Sequence, residues 1–201
     1  MSLLVIGAAL LVGFLRGHRL ADLINYPFRG MGLFAGALAI QLFLGTRYAE
    51  SLPAVRLAAP LLNLGSMLLL LLAIAANRRL AGARLAGLGV LLNAAVIFAN
   101  GGKMPVSPHA LRTLEVPADR VAHLAAGRFL THRLMGPEAA LAPLADVLYL
   151  PPPFVRSSVF SVGDVVLGGG LFLLVVGAMA NAAAQRGSRT TSETHPATTP
   201  G

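Results

Sequence analysis

Apolar residues gather in five blocks, Ser2–Leu15, Gly30–Thr46, Leu57–Ala76, Ala81–Ala99 and Phe160–Ala184, set apart by stretches carrying Arg, Pro and Gly. The blocks show neither the two-residue alternation of a half-buried strand nor the narrow stripe of a surface helix, which predicts helices apolar all round. Such helices suit lipid, where each backbone N–H and C=O must be satisfied within its own segment. The expectation is an all-α polytopic membrane helix bundle of about five spans within residues 1–184. The first block has 14 residues, roughly 21 Å of helix against a hydrocarbon core of about 30 Å. It spans only with help from Arg16–Arg19, whose side chains can snorkel, or from local thinning of the bilayer.

Few polar residues interrupt the blocks. Gln41, Asn63, Ser66 and Asn93 are costly at membrane depth without partners, which directs the three amides into the bundle. Interhelical hydrogen bonds explain them simply; a polar path for a small solute is the sharper reading. Gly32 and Gly36 are four apart, a spacing that lets two helix backbones approach, and Gly168-Gly169-Gly170 should leave a thin, closely packed surface on the last helix.

Between the fourth and fifth blocks lies the one sizeable polar region, residues 100–159, expected to be an ordered helical or re-entrant excursion. Ser107 followed by Pro108 is a helix-start signal, and Pro117-Ala118-Asp119 repeats it, predicting a helix over Ala118–Leu134 that Gly136-Pro137 ends. Ala139–Leu150 is apolar but too short to span, and it holds Pro143 and Asp146; it reads as re-entrant or interfacial. Pro151-Pro152-Pro153 gives a stiff connector. The tail, residues 185–201, is rich in Ser, Thr, Pro and Gly and is expected to have no fold.

Composition agrees with a lipid environment: 56% hydrophobic, 12% charged, mean hydropathy +0.73, against about 25% charged in soluble chains. The net charge of +8 comes from arginines at block ends rather than from one soluble basic face, which fits membrane lipids and excludes a nucleic-acid reader. With five alternating spans, Arg16, Arg19, Arg29, Arg78, Arg79, Arg84, Arg186 and Arg189 share one side, and Arg47 and Arg56 lie on the other. That asymmetry places the C-terminus in the cytoplasm and the N-terminus, with the excursion, outside a bacterial inner membrane. Cysteine is absent, so thiolate chemistry is excluded.

Candidate chemistry is confined to the excursion and its ends. Asn100-Gly101-Gly102 reads first as a helix C-cap; its functional alternative is an amide nest that, with Lys103, holds an anion. Ser161-Val162-Gly163-Asp164 reads first as a capping box, although Asp164 and Asp146 could converge and share a proton or a cation. No cap explains Asp146. Among the histidines, Asp119 and His123 are spaced to pair on one helical turn, while His123 and His132 face nearly opposite ways on a single helix. No metal site and no cofactor are expected. Candidate catalytic residues are Asp146, Asp164 and His132, and candidate ligand-binding residues are Asn100, Gly101, Gly102, Lys103, Ser107 and Ser161.

Asn100-Gly101-Gly102-Lys103-Met104-Pro105-Val106-Ser107, then His132, Leu144-Ala145-Asp146 and Ser161-Val162-Gly163-Asp164-Val165 together resemble the ordered landmarks of a bacterial integral-membrane family, domain of unknown function 5317. The resemblance covers nearly the whole chain except the tail. It implies topology and candidate sites, and no reaction. Three readings of function follow from the residues: a binding or accessory module for an anionic envelope ligand or a partner membrane protein; a small-solute transporter using Gln41, Asn63 and Asn93; and a membrane-embedded hydrolase or transferase using Asp146, Asp164 and His132. Because the two cap signals flank one excursion, Asn100–Ser107 should pack against Ser161–Asp164, with the excursion covering the bundle mouth.

Overall fold

Glycine and asparagine set the ends of the apolar helices. The computed structural model describes residues 2–150 and 158–193. Helix α1 is Ser2–Leu15, α2 Leu20–Ile24, α3 Met31–Leu44, α4 Arg47–Ser51, α5 Pro53–Ala76 and α6 Ala83–Ala99. Gly30 (φ 70°) and Gly82 (φ 82°) start α3 and α6 from the left-handed region, a conformation that glycine adopts without steric cost. Thr46 caps α4 by accepting a hydrogen bond from the Ala49 amide. These stops leave α3 and α6 shorter than their blocks, while α1 is no longer than its own. Only α5 and the stretch Val162–Arg186 of the last helix are long and apolar enough to cross a bilayer among the described residues, so five full-length spans are not what the structure contains. The mostly helical architecture is as expected.

The last helix, α9, runs Val162–Glu193. Residues 185–193, expected to be part of an unfolded tail, continue it; residues 194–201 and the triple proline lie outside the described residues. The main axis of packing is α6 against α9. A Cβ on Gly89 would strike the Leu167 backbone and the Gly163 carbonyl, and one on Gly170 would strike the Ala86 backbone. The predicted close approach at the triple glycine is real at Gly170, which is met by Gly82 and Ala86, and it continues one turn on where Gly89 meets Leu167 and Gly163. Gly32, by contrast, faces open space, and Gly36 makes only ordinary contact with Leu69, so the α3 glycine pair is not a helix crossing.

Two ends of the bundle are distinguishable by their contacts. At one, Leu23, Tyr26 and Phe28 pack on Leu80, Ala83 and Ala178. Asn77 exchanges hydrogen bonds with the backbone of Arg29 (3.0 and 2.7 Å), and Arg186 pairs with the buried Asp22. At the other end, Leu44, Ala49 and Ala59 enclose Leu130 of the excursion. There Gly102 (φ +88°) sits so tightly against Pro60 that a Cβ would collide with the proline ring. The excursion therefore caps the end opposite the one where the arginine-rich turns meet.

Within the cap, β1 (Met104–Val106) runs parallel to β2 (His132–Leu134), after α7 (Pro108–Thr113) and α8 (Ala118–Ala125). The helix expected over Ala118–Leu134 stops at Ala125. Gly127 turns the chain at φ 63°, and residues 132–134 become a strand because β1 offers an unpaired edge. Ala139–Leu150, expected as a re-entrant or interfacial segment, is not one continuous helix. It contains a single 3-10 turn, Ala142–Leu144, then β3 (Leu148–Leu150), which pairs antiparallel with β4 (Ser158–Phe160). Val106, Leu111 and Leu124 form the cap's own core, with Val159 of β4 packed against it.

Candidate acid–histidine site

The polar residues inside the helices are committed to one another. Gln41 Nε2 donates to Asn63 Oδ1 (2.9 Å) and Ser66 Oγ (2.6 Å), Ser66 Oγ donates to the Asn63 carbonyl (2.6 Å), and Asn63 Nδ2 donates to the Gly102 carbonyl (2.8 Å). This ties α3 to α5 and α5 to the cap. Each bond contributes about 1 kcal/mol net, and an orphaned buried partner would cost about 1–3 kcal/mol.

Asn100–Lys103 is likewise occupied. The Gly101 amide donates to the Phe98 carbonyl (3.3 Å) and the Gly102 amide to the Ile97 carbonyl (2.8 Å), the paired bonds of a Schellman cap. Those are the amides an anion nest would require, and they point back into the helix. Asn100 links three segments: its Nδ2 donates to the Val96 and Ala140 carbonyls (2.8 and 2.9 Å), and its Oδ1 accepts from Arg133 (3.0 Å) and the Ala140 amide (3.1 Å). Lys103 Nζ donates to the Gly127 and Phe129 carbonyls (2.9 and 2.8 Å). Burial, then Arg56 and Arg133, lower its pKa. Ser107 caps α7 by accepting from the Ala110 amide (3.4 Å).

Three chemically active residues do converge. Asp146 is clamped by the backbone of β1: its amide donates to the Pro105 carbonyl (3.1 Å), and its carbonyl accepts from the Ser107 amide (2.9 Å). Ala145, fully buried against Val96, Ile97 and Met104, fixes the preceding turn. With β2 on the opposite edge of β1, His132 Nε2 comes within 3.7 Å of Asp146 Oδ2, and Thr131 Oγ1 holds the other ring nitrogen at 2.8 Å. Asp164 approaches from the bundle. Its capping box with Ser161 is complete, with the Asp164 amide 2.9 Å from Ser161 Oγ and the Ser161 amide 3.1 Å from Asp164 Oδ2. Asn93 of α6 adds a bond to Asp164 Oδ1 (2.8 Å) and accepts one from Ser161 Oγ (2.7 Å). Capping thus accounts for only part of the Asp164 environment.

Electrostatics follow from this placement. Burial first, and the Asp164 carboxylate second, push the pKa of Asp146 up to about 7, since removal from water and a like charge both disfavour ionisation. His132 is lowered by burial against an opposing pull from Asp164. The His132 side chain is nonetheless 47% exposed. At neutral pH the pair is therefore an imidazole beside a carboxyl group near its titration point, able to give or take a proton at Asp146 Oδ2. A cavity of about 160 Å³ adjoins Asp164 and is walled by Val5, Ser158, Phe160, Leu167, Gly168 and Leu171.

His123 does not join this group: its ring nitrogen bonds the Asp119 carbonyl (2.8 Å), not the Asp119 carboxylate. His109 stacks edge-on to Tyr149. Among the described residues, no group of three or more His, Cys, Asp or Glu is arranged to hold a metal. Sequence reasoning missed Asp22, Asn77 and Ser158. Asp22 had a signal, a lone acid three residues after Arg19 at the start of a short helix, where its carboxylate accepts the Arg19 amide (2.7 Å).

The profile of the family of unknown function DUF5317 matches residues 25–176. The chain belongs to this family. The match to DUF5317 takes in Asn100–Ser107, His132, Asp146 and Ser161–Asp164 together, so the whole acid–histidine group lies within the family region. An uncharacterized protein of Thermotoga maritima is 32% identical over 168 residues, which is 84% of this chain and 86% of that one. No solved structure matches.

Proposed function

We propose that this DUF5317 chain is a multi-pass membrane protein in which cap and bundle together form a binding module with a proton-exchanging site at Asp146. The membrane reading is supported by an inverted burial pattern. Leu57, Leu61, Leu42 and Phe98 are 85%, 76%, 64% and 74% exposed, while Asn63, Ser66 and Asn93 are buried. Of the most apolar stretches of α5 and α9, only 22% and 33% are buried. Water would leave those leucines uncovered at about 25 cal/mol for each Å²; lipid covers them. In this reading α1, α3 and α6 cross with α5 and α9, giving five spans, and the short helices sit where the bilayer is thinned or the flanks snorkel. The arginine-rich turns then lie in the cytoplasm of a bacterial cell and the cap outside.

One observation carries the functional reading: three separate segments bring His132, Asp146 and Asp164 to one place, and no structural need explains Asp146. An acid that titrates near neutrality is matched to proton exchange. Solute transport along Gln41, Asn63 and Asn93 loses its support, because Gln41 bonds Asn63, Asn63 bonds the cap backbone, and Asn93 bonds Ser161 and Asp164. An anion held by Asn100–Lys103 loses its support for the same reason. A hydrolase or transferase using Asp146, Asp164 and His132 would draw on the same acid–histidine group, but Ser161 Oγ, spent on Asn93 and Asp164, is not its nucleophile. Binding of a small ligand coupled to a proton is left in front, with membrane lipids or a partner membrane protein as its setting.

The experiment is Asp146→Asn in a strain whose growth depends on this protein. The reading expects loss of function with normal insertion and folding. A wild-type phenotype would sink it and leave a purely structural cap.

A further inference from the structure

The two nitrogens of the His132 ring have different surroundings. Nε2 lies 3.7 Å from Oδ2 of the buried Asp146. Nδ1 bonds Thr131 Oγ1 at 2.8 Å, and that bond is exposed to solvent. The ring therefore bridges a carboxyl group inside the cap and the water outside it. Its place is fixed by the register of β2 on β1, which sets His132 opposite Met104, while Asp146 is held to the other side of β1 through Pro105 and Ser107.

The other neighbours of Asp146 offer a proton no comparable way out. The partners that clamp it from β1 are backbone groups, which do not titrate. Arg133, the next residue of β2, is engaged with Asn100 and Glu138. Asp164, the charged group that α9 contributes, accepts from Asn93 Nδ2 and the Ser161 amide. Beyond it α6 and α9 are packed to contact, since a Cβ on Gly163 would strike Asn93 and the Gly89 carbonyl. Asp146 is also not among the residues that wall the cavity beside Asp164. Of these groups, His132 alone both adjoins the Asp146 carboxyl and reaches solvent.

We propose that His132 is the relay that carries the Asp146 proton to and from water at the exposed face of the cap. The proposal rests on the proton-exchange reading and names the route that exchange takes. Asp146 Oδ2–H gives its proton to Nε2 while Nδ1–H gives its own to water. One proton leaves, the carboxylate stays behind, and the ring ends neutral with its hydrogen on Nε2. Reprotonation runs the same steps backwards. Thr131 suits both states, because a hydroxyl accepts from Nδ1–H before the transfer and donates to bare Nδ1 after it. Each transfer requires the pair to close by about 0.8 Å, from 3.7 Å to hydrogen-bond distance. An imidazole is suited to the task, since it gains and loses a proton in the same pH range as this carboxyl.

The test follows the rate of exchange. The full chain in lipid nanodiscs is jumped from pH 6 to pH 8, and time-resolved infrared spectroscopy records the decay of the protonated Asp146 C=O band, assigned by its absence in Asp146→Asn. His132→Gln should slow that decay at least about tenfold. It should leave the titration midpoint at about 7, because burial and Asp164 set that value. His132→Gly should be as slow, and free imidazole, for which it leaves room, should restore the rate. A structural defect would not respond to imidazole. A wild-type rate in either variant, or a slow rate in His132→Gly that imidazole does not restore, would overturn the proposal; if one variant fails to fold, the rate in the other decides. Absence of any titrating carboxyl band in the wild type would instead defeat the proton-exchange reading, so the two fail separately.

Discussion

At the scale of single residues, Asp146 carries the account, and its pH dependence has a definite sign. Its carboxyl titrates at about 7 in the folded protein against 3.8 for an ordinary aspartate. The folded state therefore binds more protons between those values, and the stability so gained is full below about pH 4 and is lost as pH rises through about 7. His132, with its folded value lowered, works the other way: below its ordinary 6.5, rising pH restores stability. Above pH 6.5, of the two, only the carboxyl effect remains, on the order of a few kcal/mol. Thermal unfolding should show a cap more stable at pH 6 than at pH 8. Asp146→Asn should flatten that difference, and an unchanged slope would count against the burial of this carboxyl. Asp146 was legible in the sequence because no cap or turn explains an acid in Ala139–Leu150. The parts that make it work were not: its hydrogen bonds run to the backbone of Pro105 and Ser107, and such pairing leaves no mark on side-chain identity. Asp164 was legible as a cap and as an acid that could converge with Asp146, but its bond from Asn93, which spans 71 positions, was not.

Between elements, small residues matter where a backbone comes close and not where spacing alone points. Gly89 meets Leu167 and Gly163 of α9, whereas Gly32 meets nothing within 4 Å, although the Gly32–Gly36 spacing looked like a crossing motif. The two sites thus predict opposite outcomes. Gly89→Ala should destabilise the bundle by about 1–3 kcal/mol through overpacking. Gly32→Ala should be neutral or stabilising by about 0.5–1 kcal/mol, because alanine is the better helix former. Denaturation in mixed micelles measures both, and equal effects would contradict the assigned packing. Helix existence was legible from apolar blocks, but helix length was not. Gly30 and Gly82 delay two starts, and the strand at His132–Leu134 depends on β1, a partner some thirty residues away in sequence that local pattern cannot supply.

For the whole molecule, the claim is that the two ends of the bundle face different aqueous phases. Contacts gather the Arg29, Arg78 and Arg186 segments at one end and the cap at the other. A reporter active only outside the cytoplasm should work when inserted near Pro117 and stay silent when fused at Arg186. The reverse result would invert the orientation. Arginine placement made this arrangement legible in the sequence, and the burial of Asp22 beneath Arg186 adds a tie that charge counting does not reveal. The central claim, that a carboxyl group under the cap exchanges its proton near neutrality, is tested most directly by infrared difference spectroscopy. The protein in lipid nanodiscs would be titrated from pH 5 to 9, with Asp146→Asn as the reference. The account predicts a protonated-carboxyl C=O band that is present in the wild type, absent in the variant, and lost with a midpoint of about 7. A wild-type spectrum that matches the variant at every pH, with Asp146 ionised already at pH 5, would contradict it.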